Sequence, residues 1–114
     1  MSPEPELPNL TTTPQALPTC CLSLSTPLLT HLSNLLPPKP SFTISIGSGS
    51  GLLEALLTHH NAALSIEGVE VNPSVNRYIP EQDMHVVSGT WDLLHARVPD
   101  AAAWMFVYPR DPKL

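Results

Sequence analysis

The chain has 114 residues and a formal net charge of -5 at pH 7, and its first basic residue is Lys39. This length allows one domain with a modest core, and the acidic balance argues against a nucleic-acid or anionic-membrane partner. The longest apolar run, residues 101–108, is far shorter than the roughly 20 residues of a membrane-spanning helix. We therefore expect an intracellular protein, cytoplasmic or nuclear.

The first part of the chain is rich in proline. Nine of the fourteen prolines lie in the first forty residues, and residues 1–18 mix Pro, Thr and Glu without a period. This composition predicts a tail over residues 1–25 that is disordered or loosely draped, and a domain over residues 26–114. Pro5 and Pro8 form a PxxP pair, but no basic residue flanks it, so a plain linker is the preferred interpretation.

A helix is predicted to begin at Thr26, which can cap it, with Pro27 at its first position. One face of this helix is an apolar stripe at helical spacing, made of Leu28, Leu29, Leu32, Leu35 and Leu36. Pro37 and Pro38 cannot continue a helix, so it is expected to end before them.

From residue 41 the pattern alternates between strands and helices. FTISI, residues 42–46, predicts a short buried strand, and LLEALLTHH, residues 52–60, has helical spacing. LSIEGVEV, residues 64–71, predicts a second strand. Asn72 can then cap a helix that contains residues 74–79 and stops at Pro80.

The pattern then repeats with weaker signals. MHVV, residues 84–87, predicts a third strand, and WDLLHARV, residues 91–98, a helical turn or two. AAAWMFVY, residues 101–108, predicts a fourth strand of the kind that is buried on both faces. This order of elements predicts an α/β fold, a doubly wound parallel sheet with right-handed crossovers.

Three of the five glycines, Gly47, Gly49 and Gly51, follow the first predicted strand. A loop that leaves a strand and begins a helix within a few residues needs torsions that glycine adopts cheaply, and a ligand against the backbone leaves no room for a Cβ. The helix that follows points its free N–H groups into the loop, which suits a polar or anionic ligand. The loop predicts either a nucleotide-type cofactor site or a Gly-Ser loop that only turns the chain.

Glu70 lies about twenty residues beyond the glycines, near the carboxyl end of the second predicted strand. In a doubly wound sheet this strand lies beside the first, where a carboxylate can accept both hydroxyls of a ribose. A solvated strand end is the alternative for Glu70 alone. A glycine-rich turn together with a correctly spaced acid is less often accidental, and the pair favours a nucleotide cofactor.

ISIGSGSGLLEALL, residues 44–57, followed by SIEGVEVNPSVNRYI, residues 65–79, resembles the first two motifs of class I S-adenosylmethionine-dependent methyltransferases. The resemblance covers roughly residues 26–112. It implies a Rossmann-like fold and S-adenosylmethionine as the cofactor, with Glu70 on the ribose. It also implies that the glycine loop meets the methionine part, through Gly47, Ser48, Gly49 and Gly51.

The segment VVSGTWDLL, residues 86–94, occupies the place where the family's loop meets adenine. The resemblance therefore implies an adenine contact from Gly89, Thr90, Trp91 or Asp92. For Trp91, a core anchor is an equal alternative. YPRDP, residues 108–112, occupies the place of residues that face the methyl group, which implies three acceptor-side candidates, Tyr108, Pro109 and Arg110.

Two departures from the family pattern affect the expected site. Two residues before the first glycine, the family often has an acid that meets the cofactor's amino group, whereas this chain has Ser45, which can accept a hydrogen bond but brings no charge. We keep Ser45 in the expected site and expect weaker binding. After the third strand, Thr90 stands where the family often has an acid next to the glycine. The dinucleotide pattern G-x-G-x-x-G/A fails at Leu52, so a dinucleotide-binding half-domain is the less favoured alternative.

No catalytic residue and no metal site are assigned from the sequence. Methyl transfer from a sulfonium relies on the cofactor for its chemistry, so the protein mainly aligns donor and acceptor. Cys20 and Cys21 are adjacent and have no metal-ligand spacing. The five histidines lie on different predicted elements without mutual spacing: His31, His59, His60, His85 and His95.

The family's sheet continues beyond a fourth strand, whereas the predicted pattern stops there. The resemblance thus implies a sheet truncated after about four strands and a methyltransferase-like protein that is inactive alone or completed by another chain. An exposed fourth strand would pair readily with other strands. The alternative of a different class is a non-enzymatic interaction module or remnant that binds a protein partner, or a second copy, through this strand.

Overall fold

The computed structural model describes residues 6–17, 23–71, 73–88 and 100–106. Its helices are α1 (Thr26–Leu35) and α2 (Leu52–His60), and two short 3-10 turns span Pro73–Val75 and Glu81–Asp83. The strands, in chain order, are β1 (Thr43–Ile46), β2 (Ile66–Glu70), β3 (Met84–Val86) and β4 (Ala103–Phe106).

The four strands form one sheet in the order β3-β2-β1-β4, and every neighbouring pair is parallel. The predicted α/β fold with a parallel, Rossmann-like sheet is therefore confirmed. The chain winds from β1 through β2 to β3 in one direction, and β4 lies on the other side of β1. Ligands of open α/β sheets bind where the winding reverses, at the carboxyl ends of the strands.

Helix α1 begins at a different cap from the one predicted. Ser25 is the N-cap, and its Oγ accepts a hydrogen bond of 3.3 Å from the backbone N–H of Leu28. Thr26 is thus the first helical residue, and Pro27 lies in the first turn. The sequence alone could not choose between Ser25 and Thr26 as the N-cap, because serine and threonine are both good caps.

Within the described residues, no helix is long and apolar enough to cross a membrane.

The sheet carries an apolar cluster on each face. On one face, leucines of α1 and α2 pack with Ile66 of β2 and Met105 of β4. The other face carries a cluster of Phe42, Ile44, Ile46, Val69 and Val87. Strand β1 is buried along its whole length, as the sequence predicted, because its alternate residues contribute to both faces.

Strand β4 is only partly buried. Met105 is 9% exposed on the helix side, whereas Trp104 and Phe106 are 53% and 58% exposed. Their register beside Ile44 and Ile46 places them on the opposite face, at the outer position of the described sheet. The apolar pattern is typical of a strand that is buried on both faces, but these two side chains are exposed, as the resemblance to a sheet truncated after the fourth strand implied.

The crossover from β2 to β3 lacks the helix predicted after Asn72, a residue that lies outside the described ranges. The Asn76 side chain donates to the backbone O of Ile79 and accepts from its N–H, at 2.8 and 3.2 Å. The N–H groups of Arg77 and Tyr78 donate to the backbone O of Ser50. The bonds between Asn76 and Ile79 replace the ones that a helix would make, which is how Asn side chains compete with helix formation. The bonds to Ser50 join the crossover to the glycine loop.

The described part of the N-terminal segment, residues 6–17, lies against the domain. Gln15 and Leu24 form an antiparallel bridge, and the N–H of Thr26 donates to the O of Thr11 at 2.9 Å. Three leucines of this segment pack against the helix-side cluster, Leu7, Leu10 and Leu17. The sequence predicted a tail that is either disordered or loosely draped, and residues 6–17 are draped over the domain.

Candidate functional site

All three glycines of the loop between β1 and α2 have positive φ angles, 72° at Gly47, 59° at Gly49 and 80° at Gly51. Residues with a Cβ rarely adopt this region. The composition of the loop therefore follows from its backbone path: the chain leaves β1 at Ile46 and must begin α2 at Leu52.

Gly49 and Gly51 differ in what surrounds them. A Cβ on Gly51 would lie 2.5 Å from Cγ1 of Ile79, so this glycine is needed for packing against the crossover segment. A Cβ on Gly49 would meet no atom within 4 Å. The open space of the loop thus lies over Gly49, which is the position where a ligand can approach the backbone.

Glu70, at the carboxyl end of β2, lies directly at this loop. Its Oε2 accepts a hydrogen bond from the N–H of Gly49, and its Oε1 accepts one from the N–H of Val71, both at 3.0 Å. The side chain is 7% exposed. The structure therefore brings together the glycine loop and the acid that the sequence singled out.

The N–H groups of the loop are already engaged. Those of Gly47 and Ser48 both donate to the O of Val69, at 2.9 and 3.2 Å, which extends the pairing of β1 with β2. The N–H of Gly51 donates to Ser48, and that of Leu52 to Oγ of Ser50. The helix was expected to point free N–H groups into the loop, and the one at Leu52 is instead bonded to Ser50 within the tight turn.

The Ser48 side chain faces the sheet. A Cβ on Gly68 would lie 2.6 Å from the Oγ of Ser48, and this Oγ is 3.9 Å from the sulfur of Met84. Ser48 therefore packs over β2 and β3. The glycine at position 68, to which the sequence analysis gave no role, makes room for it.

Ser45 lies in the middle of β1 and points toward α2. Its Oγ donates a hydrogen bond of 2.5 Å to Oε2 of Glu54, which is in the first turn of α2. Glu54 is only 3% exposed. The sequence analysis missed Glu54, although one signal was present: it is the only charged side chain in the run LLEALL.

Glu54 is held in an environment that disfavours its charged form. Burial raises the pKa of its carboxyl above the ordinary value, and the negative charge of Glu70 adds to this. Hydrogen bonds from Ser45 and from the backbone N–H of Glu54 itself oppose the rise. Nε2 of His85 lies 2.7 Å from Oε1 of Glu67, whereas in the described part of the chain neither Glu54 nor Glu70 has a Lys, Arg or His side chain at salt-bridge distance.

A cavity of about 510 Å³ lies between α2 and residues 77–83, where the crossover has no α-helix. Glu54 forms part of its wall, together with Tyr78 and Ile79. Besides Glu54 and Tyr78, the charged and titratable side chains that line it are Lys39, His59, Arg77 and Asp83. Glu54 thus lies between this cavity on one side and Ser45 of β1 on the other.

Several residues of the expected site lie outside the described ranges. They are the adenine-side candidates Gly89, Thr90, Trp91 and Asp92, and the acceptor-side candidates Tyr108, Pro109 and Arg110. Across the described ranges, no group of three or more His, Cys, Asp or Glu side chains could hold a metal ion.

The chain was compared with protein-family models, with curated proteins and with solved structures, and none of them matches it. The class of the protein is therefore defined by its own architecture. It is an α/β protein with a Rossmann-like parallel sheet, and a glycine loop and a buried acid meet at the carboxyl ends of β1 and β2.

Proposed function

We propose that this chain binds S-adenosylmethionine at the carboxyl ends of β1 and β2, as a methyltransferase-like protein. The observation that carries the proposal is the hydrogen bond from the N–H of Gly49 to Glu70, next to the open space over Gly49. The winding of the sheet reverses at β1, and cofactors of doubly wound folds bind at this kind of position.

The residues present fit a nucleoside in two respects. Each oxygen of the Glu70 carboxylate accepts one backbone hydrogen bond and retains capacity for another acceptor bond, so Glu70 would hold the ribose hydroxyls. The absence of a Cβ at Gly49 would let the ligand lie against the loop. Recognition would rely less on loop N–H groups, since those of Gly47, Ser48 and Gly51 donate within the chain.

When bound, S-adenosylmethionine supplies an electrophilic methyl group on a sulfonium centre. The chain's contribution would be to position that group, which is the main protein contribution to a displacement of this kind. The acceptor contacts that the resemblance implies for Tyr108, Pro109 and Arg110 remain part of the proposal and rest on the sequence alone.

A second candidate function, of a different class, is protein interaction through β4. The observation that favours it is the exposure of Trp104 and Phe106, 53% and 58%, on the outermost strand of the described sheet. Exposed apolar side chains on an edge strand favour strand addition by a partner. Under this hypothesis the glycine loop would serve only to turn the chain.

Calorimetry with S-adenosylhomocysteine, the demethylated product, separates the two functions. We expect a dissociation constant in the micromolar range for the parent chain. Absence of binding at millimolar ligand would overturn the cofactor proposal and favour the interaction module.

Two substitutions at Gly49 locate the ligand. Gly49→Asn fills the open space with a residue that tolerates positive φ, so the fold should be retained and binding lost. Gly49→Ala adds one methyl group and serves as the smaller step. Equal affinity for parent and Gly49→Asn would remove the loop from the ligand site.

A further inference from the structure

The basic side chains of the described ranges meet at one cavity. These ranges contain one Lys and one Arg, Lys39 and Arg77, and both line the 510 Å³ cavity. Neither lies at salt-bridge distance from an Asp or Glu side chain in the described part of the chain. In a chain with a net charge of -5, two basic side chains without an acidic partner at one cavity favour an anionic ligand.

The backbone holds Lys39 and Arg77 toward opposite ends of the sheet. The N–H of Lys39 donates to the O of Ala63, which precedes the amino end of β2, at 2.7 Å. The N–H of Arg77 donates to the O of Ser50, in the loop beyond the carboxyl end of β1, at 2.9 Å. Because β1 and β2 are parallel, these two bonds lie at opposite ends of the strands.

The wall that α2 contributes runs between the same two ends. Residues three or four apart are neighbours on a helix, and the four that line the cavity share one face, namely Glu54, Ala55, Thr58 and His59. Along this face, α2 rises about 7.5 Å at about 1.5 Å per residue. Since α2 begins beyond the carboxyl end of β1 and ends before β2, Glu54 lies toward Arg77 and His59 toward Lys39.

Apolar side chains form the deeper part of the wall. Leu64, Ile66 and Ile79 line the cavity and are buried, whereas Lys39 and Arg77 are exposed and lie at its rim. The volume is that of a small-molecule site. An apolar interior with a cation at each end suits a ligand with an apolar middle and an anionic group at each end.

Two acids also line the cavity, Glu54 and Asp83. Glu54 is almost wholly buried, and this burial raises the pKa of its carboxyl, which favours the neutral form. Asp83 is then opposed by Lys39 and Arg77, with His59 as a further hydrogen-bond donor. The balance of charge therefore favours an anion.

We propose that this cavity binds a small linear molecule with an apolar middle and an anionic group at each end, of which a dicarboxylate is the simplest kind. Arg77 binds one anionic group, and Lys39 with His59 binds the other. The described lining includes neither the loop glycines nor Glu70, so the site is separate from the proposed cofactor site and does not depend on it.

Four probes measured by calorimetry test the two ends and the span between them. Suberate, octanoate and the diol of the same chain length differ only in the charge at their ends, and succinate keeps both charges on a short chain. We expect suberate to bind the parent at least about tenfold more tightly than each of the other three. Equal affinity for suberate and either octanoate or succinate overturns the proposal, and so does absence of suberate binding at millimolar ligand.

Two substitutions assign the ends of the ligand. Lys39→Met and Arg77→Met remove the charge at exposed positions, so the fold should be retained. Each should weaken suberate about ten- to a hundredfold, to the affinity of octanoate. His31→Gln, at an exposed position of α1 away from the described lining, is the control and should change nothing. Parent-like suberate binding by either methionine variant overturns the assignment.

Asp83→Asn tests the sign of the charge that the cavity takes. It removes an acid from the lining, so suberate should bind more tightly than to the parent. Binding of suberate should also raise the Tm of the parent, since the ligand stabilises the folded chain by mass action. Weaker suberate binding by Asp83→Asn would mean that the cavity favours a cation, which overturns the proposal.

Discussion

The backbone N–H of Gly49 donates a hydrogen bond of 3.0 Å to Oε2 of Glu70, which joins the loop after β1 to the end of β2. The other carboxylate oxygen accepts from Val71, so one side chain holds both the loop and the first residue beyond β2. Glu70 therefore contributes to the fold as well as to the proposed ligand site.

Replacing Glu70 should lower stability and affinity together. Hydrogen bonds to a charged group contribute about 1.5 to 3 kcal/mol, and Glu70→Ala removes the acceptor for two N–H groups. We expect the free energy of unfolding in urea to fall by at least about 1.5 kcal/mol, and affinity for S-adenosylhomocysteine to fall about ten- to a hundredfold.

Glu70→Gln and Glu81→Gln are the matched comparisons for Glu70→Ala. Glu70→Gln keeps one acceptor oxygen and should lie between the parent and Glu70→Ala in stability, while Glu81→Gln removes an exposed carboxylate and should match the parent. A Glu70→Ala protein as stable as the parent would mean that the contact with Gly49 does not hold the loop.

The glycines of the loop should respond differently to alanine. Gly51→Ala places a methyl group against Ile79 at a positive φ, so packing and backbone strain add, whereas Gly49→Ala at φ 59° meets only the backbone strain. We expect Gly49→Ala to cost about 1 kcal/mol and Gly51→Ala to cost at least about 1 kcal/mol more, measured by urea unfolding.

The Ile79 contact can be isolated with a second substitution. Ile79→Val removes the Cδ1 methyl group, which lies 3.0 Å from the added Cβ, and Ile79→Ala removes Cγ1 as well. Gly51→Ala should therefore cost less in the Ile79→Ala background than in the parent. Equal cost in both backgrounds would contradict the clash with Ile79 and leave the positive φ and the Asn76 side-chain oxygen, 3.0 Å from the added Cβ, as the causes.

The sequence predicted the sheet and the meeting of the loop with Glu70, because strand order and the positions of Gly and acid follow from local pattern and connection rules. It did not predict Glu54, since the helical spacing of LLEALL gives no sign that an acid points at Ser45. It also predicted a crossover helix that the structure lacks, because the Asn76 side chain pairs with the backbone of Ile79 instead. These failures share a cause: the partner of a polar side chain is fixed by tertiary packing.

Glu54 should make stability depend on pH in the unusual direction for an acid. Its pKa is raised in the folded state, so the folded protein holds this proton to higher pH than the unfolded chain does. The parent should therefore lose stability as the pH rises from the ordinary glutamate value of 4.5 through the folded-state pKa of Glu54.

Glu54→Gln removes this titration while keeping an acceptor for the Ser45 hydroxyl. We expect its Tm to exceed that of the parent at pH 7 and the difference to shrink toward pH 4, at about 4 to 8 °C for each kcal/mol in a small domain. Thermal unfolding followed by circular dichroism over this range is the measurement. A difference that grows as the pH falls would show that Glu54 is stabilised as a carboxylate.

Met105 and Phe106 are neighbours on β4, but substitution should lower stability strongly at Met105 and change it little at Phe106. Met105 packs with the leucines of α1 and α2, so Met105→Ala should cost about 2 to 5 kcal/mol in free energy of unfolding. Phe106 is 58% exposed on the opposite face, and threonine suits a strand, so Phe106→Thr should change stability by only about 0.5 kcal/mol.

The association state of a Phe106 variant shows whether the exposed side chains of β4 bind other chains. If β4 binds other chains through its exposed side chains, Phe106→Thr should reduce the mass measured by light scattering at high protein concentration, while leaving the unfolding transition in place. Ser74→Thr, at an exposed position in the first 3-10 turn, is the control and should leave the mass unchanged. A Phe106→Thr variant that loses as much stability as Met105→Ala would contradict this prediction, because it would mean that Phe106 is covered within its own chain.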